Sequence, residues 1–421
     1  MVASTQLVKI ALVLMAVSAC SSADESRTEF EPAESMDDVQ RQHRLVPDDD
    51  IWWTVTGEQM AWMHRNAHQL FPTVNVYRSG PVKELQYELN PKIGEYLVDT
   101  PDGQMSLDEF LPSDHSTSMG IVILHKGRIV FERYPRMKEY EKVIYWSTVK
   151  VMPATIIRIL EERGQIDVSE PVTTYLPELA DSPFGDITVR NILDMASGID
   201  CGDEYVDRES CYYQYSMAIG DGFRDADAPD NPYDFLKTLE AAKVAEQGTQ
   251  YSYSGVNTFI LGWIVEEITG HAFQDVFTQE VWQHIGAESD ASFIAYRYGI
   301  PLTHGGFLSN MRDLARFGLL FTPSYETVSE RKIISDQHIE FLQSPGNPAL
   351  RGEDGTQSIY QWGAHPNGDL SKGGWGGQGI IINPDRDLVA VYVAYFKDDY
   401  SEVALEPIVF DILEKLYGET D

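Results

Sequence analysis

Positive charge is in short supply: 32 Lys and Arg face 66 Asp and Glu, a formal net charge of −34. Such a chain repels a polyanion, so no nucleic-acid partner is expected, and its acidic surface reads as a solvated face. Cysteine is almost absent, with Cys20, Cys201 and Cys211 the whole complement. The Gly-x-Ser-x-Gly signature of the α/β-hydrolase nucleophile elbow occurs nowhere, which argues against that fold. There is no internal repeat, and the apolar run at 10–17 is too short to span a bilayer. What is present is 421 residues, 43% of them hydrophobic, enough for a sizeable core.

The short apolar run follows a single charge, Lys9, and ends in Val17-Ser18-Ala19-Cys20, the small residues of an export cleavage site set before a cysteine. This resembles the bacterial lipobox. It implies removal of residues 1–19 as a signal peptide and lipidation at Cys20. Ser21 in place of Asp after the cysteine points to the periplasmic side of the outer membrane, with acyl chains as the anchor. Residues 20–50 are rich in Ser, Glu and Asp and read as a flexible tether to a domain at 51–421. In an exported protein Cys201 and Cys211 are free to form a disulfide.

Within the domain, 119–133 reads as a β-hairpin turning at Lys126-Gly127, and 379–395 as a second turning at Asn383-Pro384-Asp385. Apolar residues at three- and four-residue steps predict helices over 143–163, 188–196, 258–269 and 401–417. Strands thus flank helices at both ends. The expected fold is α+β: one antiparallel sheet built from 115–160 and 345–421, covered by the first and last helices, with an all-helical insertion at about 165–340. Pro153 should kink the first of those helices.

Ser147-Thr148-Val149-Lys150 places a hydroxyl and an amine one helical turn apart on one face, close enough for proton transfer. A serine hydroxyl needs a base, and a lysine serves once burial or a neighbouring cation lowers its pKa. The same spacing recurs at Ser329 and Lys332, but in a polar stretch that reads as a solvated turn. Ser147 instead opens an apolar helix, where an oxyanion is favoured. Two further segments stand out: Tyr251-Ser252-Tyr253-Ser254-Gly255 before a helix, and Ser371-Lys372-Gly373-Gly374-Trp375-Gly376-Gly377 before the last hairpin. His64 and His68 share a helical face but lack a third ligand, and read as a surface pair. Asp225, Asp227, Asp230 and Asn231 look calcium-like without the glycine and glutamate of an EF-hand loop. No metal and no cofactor are expected.

In this order, the Ser-x-x-Lys, Tyr-Ser-x and late Lys-x-Gly segments resemble the serine β-lactamase and penicillin-binding protein superfamily. Its class C-like branch of esterases and 6-aminohexanoate-dimer hydrolases is the nearer likeness. The segments 191–198, 305–318 and 383–389 also look like family segments, so the resemblance covers roughly 70–415. It implies Ser147 as acylated nucleophile, Lys150 as its partner, Tyr253 as proton relay and Lys372 as the strand cation. It implies an oxyanion hole from the backbone N–H groups of Ser147 and Trp375, with Gly255, Gly373 and Gly374 lining the substrate site. A second cation beside Tyr253 should favour its phenolate and depress the pKa of Lys150. Three bland readings compete: Tyr251 as the relay in place of Tyr253, Lys372 as the guard of an edge strand, and Trp375 as a core aromatic. Gly255 departs from the Asn of penicillin-processing members, which argues against a dedicated β-lactamase or DD-peptidase.

The expected activity is cleavage of a small-molecule ester, or else an amide, through an acyl-enzyme on Ser147. The alternatives are a β-lactamase or DD-peptidase-type amidase and, in another class, an inactive cell-envelope binding protein. Retention of Ser147, Lys150, Tyr253 and Lys372 together speaks for the enzyme.

Overall fold

The computed structural model describes residues 55–222, 229 and 231–418. The signal segment, Cys20 and the tether lie outside the described residues, as do Asp225, Asp227 and Asp230 of the calcium-like loop. Asn231 is described, and its side chain caps the helix Pro232–Lys237 by accepting from the N–H groups of Tyr233 and Asp234.

The β-strands, in chain order, are β1 (Thr73–Val76), β2 (Gln86–Tyr87), β3 (Leu97–Thr100), β4 (Gly103–Ser106), β5 (Gly120–His125), β6 (Arg128–Arg133), β7 (Val143–Tyr145), β8 (Ala291–Ile294), β9 (Phe307–Ser309), β10 (Gln357–Ile359), β11 (Trp362–Ala364), β12 (Leu370–Gly374), β13 (Gln378–Asn383) and β14 (Leu388–Val393). The main sheet runs β10-β11-β12-β13-β14-β5-β6-β2, so its centre is the pairing of a C-terminal strand with an N-terminal one, Leu388 opposite His125 through Val393 opposite Gly120. All its pairings are antiparallel except the short parallel edge of β2 on β6. The two expected hairpins are β5–β6 and β13–β14.

Side-chain alternation explains why these strands read as unbroken apolar runs. Ile121, Ile123, Ile381 and Ala390 face one core with Leu405, Val409, Ile412 and Leu413 of the last helix, Leu405–Tyr417. Val122, Leu124, Ile380, Ile382, Val389 and Val391 face the other, larger core. There the helix Met311–Leu319 lies against β14 and β5, so close that a Cβ on Gly318 would sit 2.6 Å from a Val389 methyl. Behind it the helices Val151–Glu162 and Gly255–Thr269 pack on each other.

Three expectations are corrected. The insertion is not all-helical, because β8 and β9 join β1 and β7 in a second sheet ordered β1-β8-β9-β7. The segment 143–163 is not one helix: it opens as β7, turns through Trp146, makes a 3-10 turn at Ser147–Lys150 and continues as the α-helix Val151–Glu162. Pro153 therefore lies in the first α-helical turn, where the backbone N–H has no intrahelical partner to lose, and it causes no break.

Candidate active site

Four elements converge on Ser147. The 3-10 turn presents its hydroxyl at the head of a helical segment, half-buried, with Lys150 one turn on and almost wholly buried at 1% exposure. The Lys150 ammonium lies 3.3 Å from Ser147 Oγ and donates to the His304 carbonyl oxygen at 2.7 Å. Tyr253 precedes the helix Gly255–Thr269, and the Ser147 side chain is close enough to its phenol to favour the anion slightly. The ammonium groups of Lys150 and Lys372 stand 4.9 Å and 5.0 Å from the centre of the Tyr253 ring. Lys372 is on β12, paired opposite Ile380 in the interior of the sheet, so it does not guard an edge. Tyr251 is 44% exposed and borders a separate groove of about 390 Å³, which also reaches Lys372, Gly373 and Arg351.

Burial decides the protonation states. It pushes the Lys150 ammonium down to about 8, against a smaller upward pull from Asp203. Lys372 falls to about 7, by desolvation first and repulsion from Lys150 second, again opposed by Asp203. The ammonium form of Lys150 is thus disfavoured by about 3 kcal/mol, and at pH 7 roughly one molecule in ten holds the free amine, against about one in three thousand for an ordinary lysine. The Tyr253 phenol moves the other way: burial, then the Asp203 charge, raise it well above 10. The expected phenolate is therefore corrected, because desolvation of the anion outweighs the nearby cations. A lysine amine, not a tyrosinate, is the base within reach of the serine.

β12 ends in a tight turn, with the Gly377 N–H donating to the Gly374 carbonyl at 3.2 Å and Gly376 at φ +83°, a region L-residues avoid. This turn holds Trp375 beside the Ser147 segment. A Cβ on Gly374 would come within 3.0 Å of Thr148 Oγ1 and 3.4 Å of Ser147 N, so only glycine lets the strand approach that closely. Gly373 is not so confined, its nearest neighbour being 3.6 Å away. The Trp375 ring is half-buried, edge-on to Tyr205 and Phe396.

The sequence reading missed the wall facing this centre. Cys201 and Cys211 are disulfide-bonded, closing the loop that carries Asp203 and Tyr205. Asp203 accepts from the Gly255 N–H at 2.6 Å and from the Tyr205 hydroxyl at 3.0 Å. A Cβ on Gly255 would sit 2.7 Å from the His304 ring and 3.0 Å from Tyr212, so the space a longer side chain would take is already filled. Asp203, Tyr205, Tyr212, Asp221 and His304 line the narrow cleft, about 30 Å³, over Ser147 and Lys150. No motif spacing announces them, since they reach the site from 56 to 157 residues beyond Ser147.

Other candidates part from the site. Ser329 is buried rather than solvated and donates to the Arg331 carbonyl, while Lys332 pairs with Asp336. His64 and His68 are not a surface pair: His68 is exposed, but His64 is entirely buried. Among the described residues, no cluster of His, Cys, Asp and Glu is arranged to hold a metal ion.

Comparison with known proteins follows the same lines. The sequence profile described as β-lactamase matches residues 106–404. The 6-aminohexanoate-dimer hydrolase of Paenarthrobacter ureafaciens is 27% identical over 349 residues, covering 80% of this chain and 86% of the relative. A solved structure from Bacillus anthracis, provisionally named a 6-aminohexanoate-dimer hydrolase, superposes with a TM-score of 0.76 at 23% identity, covering 90% of this chain and 99% of that one. The structure of a family VIII carboxylesterase gives a TM-score of 0.54 at 19% identity, covering 72% and 92%.

Proposed function

From the premise that this chain belongs to the β-lactamase family, we propose that it is a serine acyl hydrolase that cleaves esters of small carboxylic acids, with Ser147 as nucleophile and Lys150 as its base. The observation that carries this reading is the buried Lys150 amine, depressed to about 8 and 3.3 Å from the serine oxygen. In the acylation step the free amine takes the Ser147 proton as Oγ bonds to the substrate carbonyl carbon. The Ser147 and Trp375 N–H groups receive the negative charge on the carbonyl oxygen, and collapse expels the alkoxide. Tyr253, protonated and beside Ser147, hands its proton to that leaving oxygen and is reprotonated from Lys150. Water then attacks the acyl-enzyme with the same groups in reverse. Lys372, depressed to about 7 by burial and by Lys150, sheds its proton before Lys150 and stands beside Tyr253 as a polar neighbour of this network.

A second reading, an amidase for substrates with a cationic end, is favoured by the carboxylates Asp203 and Asp221 on the cleft wall. The Paenarthrobacter relative's name gives a dimer of 6-aminohexanoate as its substrate, a molecule with an amide bond and an ammonium group. Against a β-lactamase or DD-peptidase stands Gly255, whose missing side-chain amide has no room to be replaced. Lipid anchoring at Cys20 would place this activity at the cell envelope.

The test is a ranked panel of p-nitrophenyl esters, cationic and neutral anilides, and a cephalosporin, each with wild type and Ser147→Ala. The ester reading expects Ser147-dependent turnover with esters fastest. Faster cleavage of cationic anilides than of matched esters would establish the second reading, and no Ser147-dependent turnover of any of them would overturn both.

A further inference from the structure

His64 is a polar side chain that neither the motif pattern nor the mechanism uses, and it is wholly buried on the helix Gly57–Leu70, far in sequence from Ser147. Its ring joins three segments of the active centre. On one side the indole N–H of Trp146 donates to Nε2 at 3.1 Å. On another, Nδ1 lies 3.2 Å from the carbonyl oxygen of Ala394, which follows β14. Above the ring passes the turn after β12: a Cβ on Gly376 would lie 2.7 Å from His64 Cε1, and one on Gly377 would lie 3.1 Å from the Ala394 methyl. Gln378, the first residue of β13, lies against the ring, its amide nitrogen 3.1 Å from Nδ1 and 3.2 Å from Nε2.

The chemistry of the partners fixes the tautomer. An indole nitrogen only donates, so Nε2 must offer a lone pair, and the single ring proton sits on Nδ1, where it donates to Ala394. Desolvation depresses the imidazole to about 3, which keeps it neutral over the range in which a lysine base works. A charged ring would lose the Trp146 bond.

The placement matters because Trp146 immediately precedes Ser147 and turns the chain from β7 into the 3-10 segment with φ −58° and ψ −123°, neither helical nor extended. The orientation of the Trp146–Ser147 peptide, and so of the Ser147 N–H, depends on how Trp146 is held. The Trp375 N–H belongs to the turn that rests on the same imidazole. We propose that His64 is a positioning residue for the oxyanion hole, tying the segment that carries one N–H donor to the turn that carries the other. The inference rests on the reading of Ser147 as nucleophile. A backbone oxyanion hole works only while both donors point at one spot, and loss of a single donor typically costs 10²- to 10³-fold in turnover. Loosening their common support should cost somewhat less.

The experiment compares wild type with His64→Leu, His64→Gln and Trp146→Phe, with rates normalised to the fraction of Ser147 that a fluorophosphonate labels. His64→Leu keeps bulk and loses the acceptor; it is expected to lower kcat by roughly 10- to 100-fold with KM within about twofold, and to weaken a boronic-acid transition-state analogue by the same factor as kcat. His64→Gln retains an acceptor for the indole and should recover most of the loss. Trp146→Phe should match His64→Leu, and the double variant should be no worse than either single one. Should His64→Leu not fold, Trp146→Phe and His64→Gln decide the matter alone. Unchanged kcat per labelled site in these variants, or losses that multiply in the double variant, would overturn the proposal. If wild type is not labelled at Ser147, it is the nucleophile reading that fails instead.

Discussion

At the scale of single residues, the account turns on the opposite shifts of Lys150 and Tyr253. Burial favours the neutral form of each, which for the lysine is the base and for the tyrosine the acid. Activity should therefore rise with pH as Lys150 loses its proton, with a midpoint near 8, and the phenol should cause no fall below about pH 10. Asp203 stabilises both ammonium groups, so Asp203→Asn should lower their pKa values and move the rising limb of kcat/KM to lower pH, by up to about one unit. A shift to higher pH would contradict that electrostatic role. Ser147 and Lys150 could be singled out from the sequence because they stand one helical turn apart at the head of an apolar run, whereas Tyr253 and Lys372 could be picked out only through the resemblance of their segments to a known family. Asp203, His304 and His64 could not. Their relation to Ser147 exists only after three chain segments have folded together, and an isolated His64 at helical spacing from His68 looks the same whether it faces water or a tryptophan.

At the scale of elements, the glycine-rich end of β12 separates two roles. A methyl group added at Gly374 meets Gln378 Oε1 at 2.9 Å and Thr148 Oγ1 at 3.0 Å, whereas one at Gly373 meets nothing closer than 3.6 Å. Gly374→Ala should therefore cost about 1–3 kcal/mol of stability and depress kcat by pushing β12 off the Ser147 turn, while Gly373→Ala should leave Tm essentially unchanged. Equal Tm for the two variants would contradict the packing. The hairpins β5–β6 and β13–β14 were legible because their turns carry clear signals and their apolar runs are buried on both faces. The start of the Ser147 helix was not, since Val143-Ile144-Tyr145 continues the apolar pattern of the helix while pairing as a strand with Phe307–Ser309. Short apolar runs do not distinguish strand from helix. The strands β8 and β9 were lost within the insertion for the same reason, being four and three residues long.

For the whole molecule, the sheet that joins the two ends of the chain positions everything else: β12 supplies Lys372 and the Trp375 turn, the turn after β7 supplies Ser147 and Lys150, and the inserted region supplies Tyr253 and the Asp203 wall. That architecture was readable from element order alone, because hairpins at both ends leave each other as partners. The charge of −34 loads the folded state with self-repulsion, so Tm should increase as NaCl is raised from low to physiological concentration; a decrease would show that attractive ion pairs dominate instead. The most direct test of the central claim, that Ser147 is a nucleophile activated by Lys150, is intact-mass spectrometry after a fluorophosphonate probe on wild type, Ser147→Ala and Lys150→Ala. The account predicts one adduct on wild type, none on Ser147→Ala and sharply slowed labelling of Lys150→Ala; no adduct on wild type, or one that survives Ser147→Ala, would contradict it.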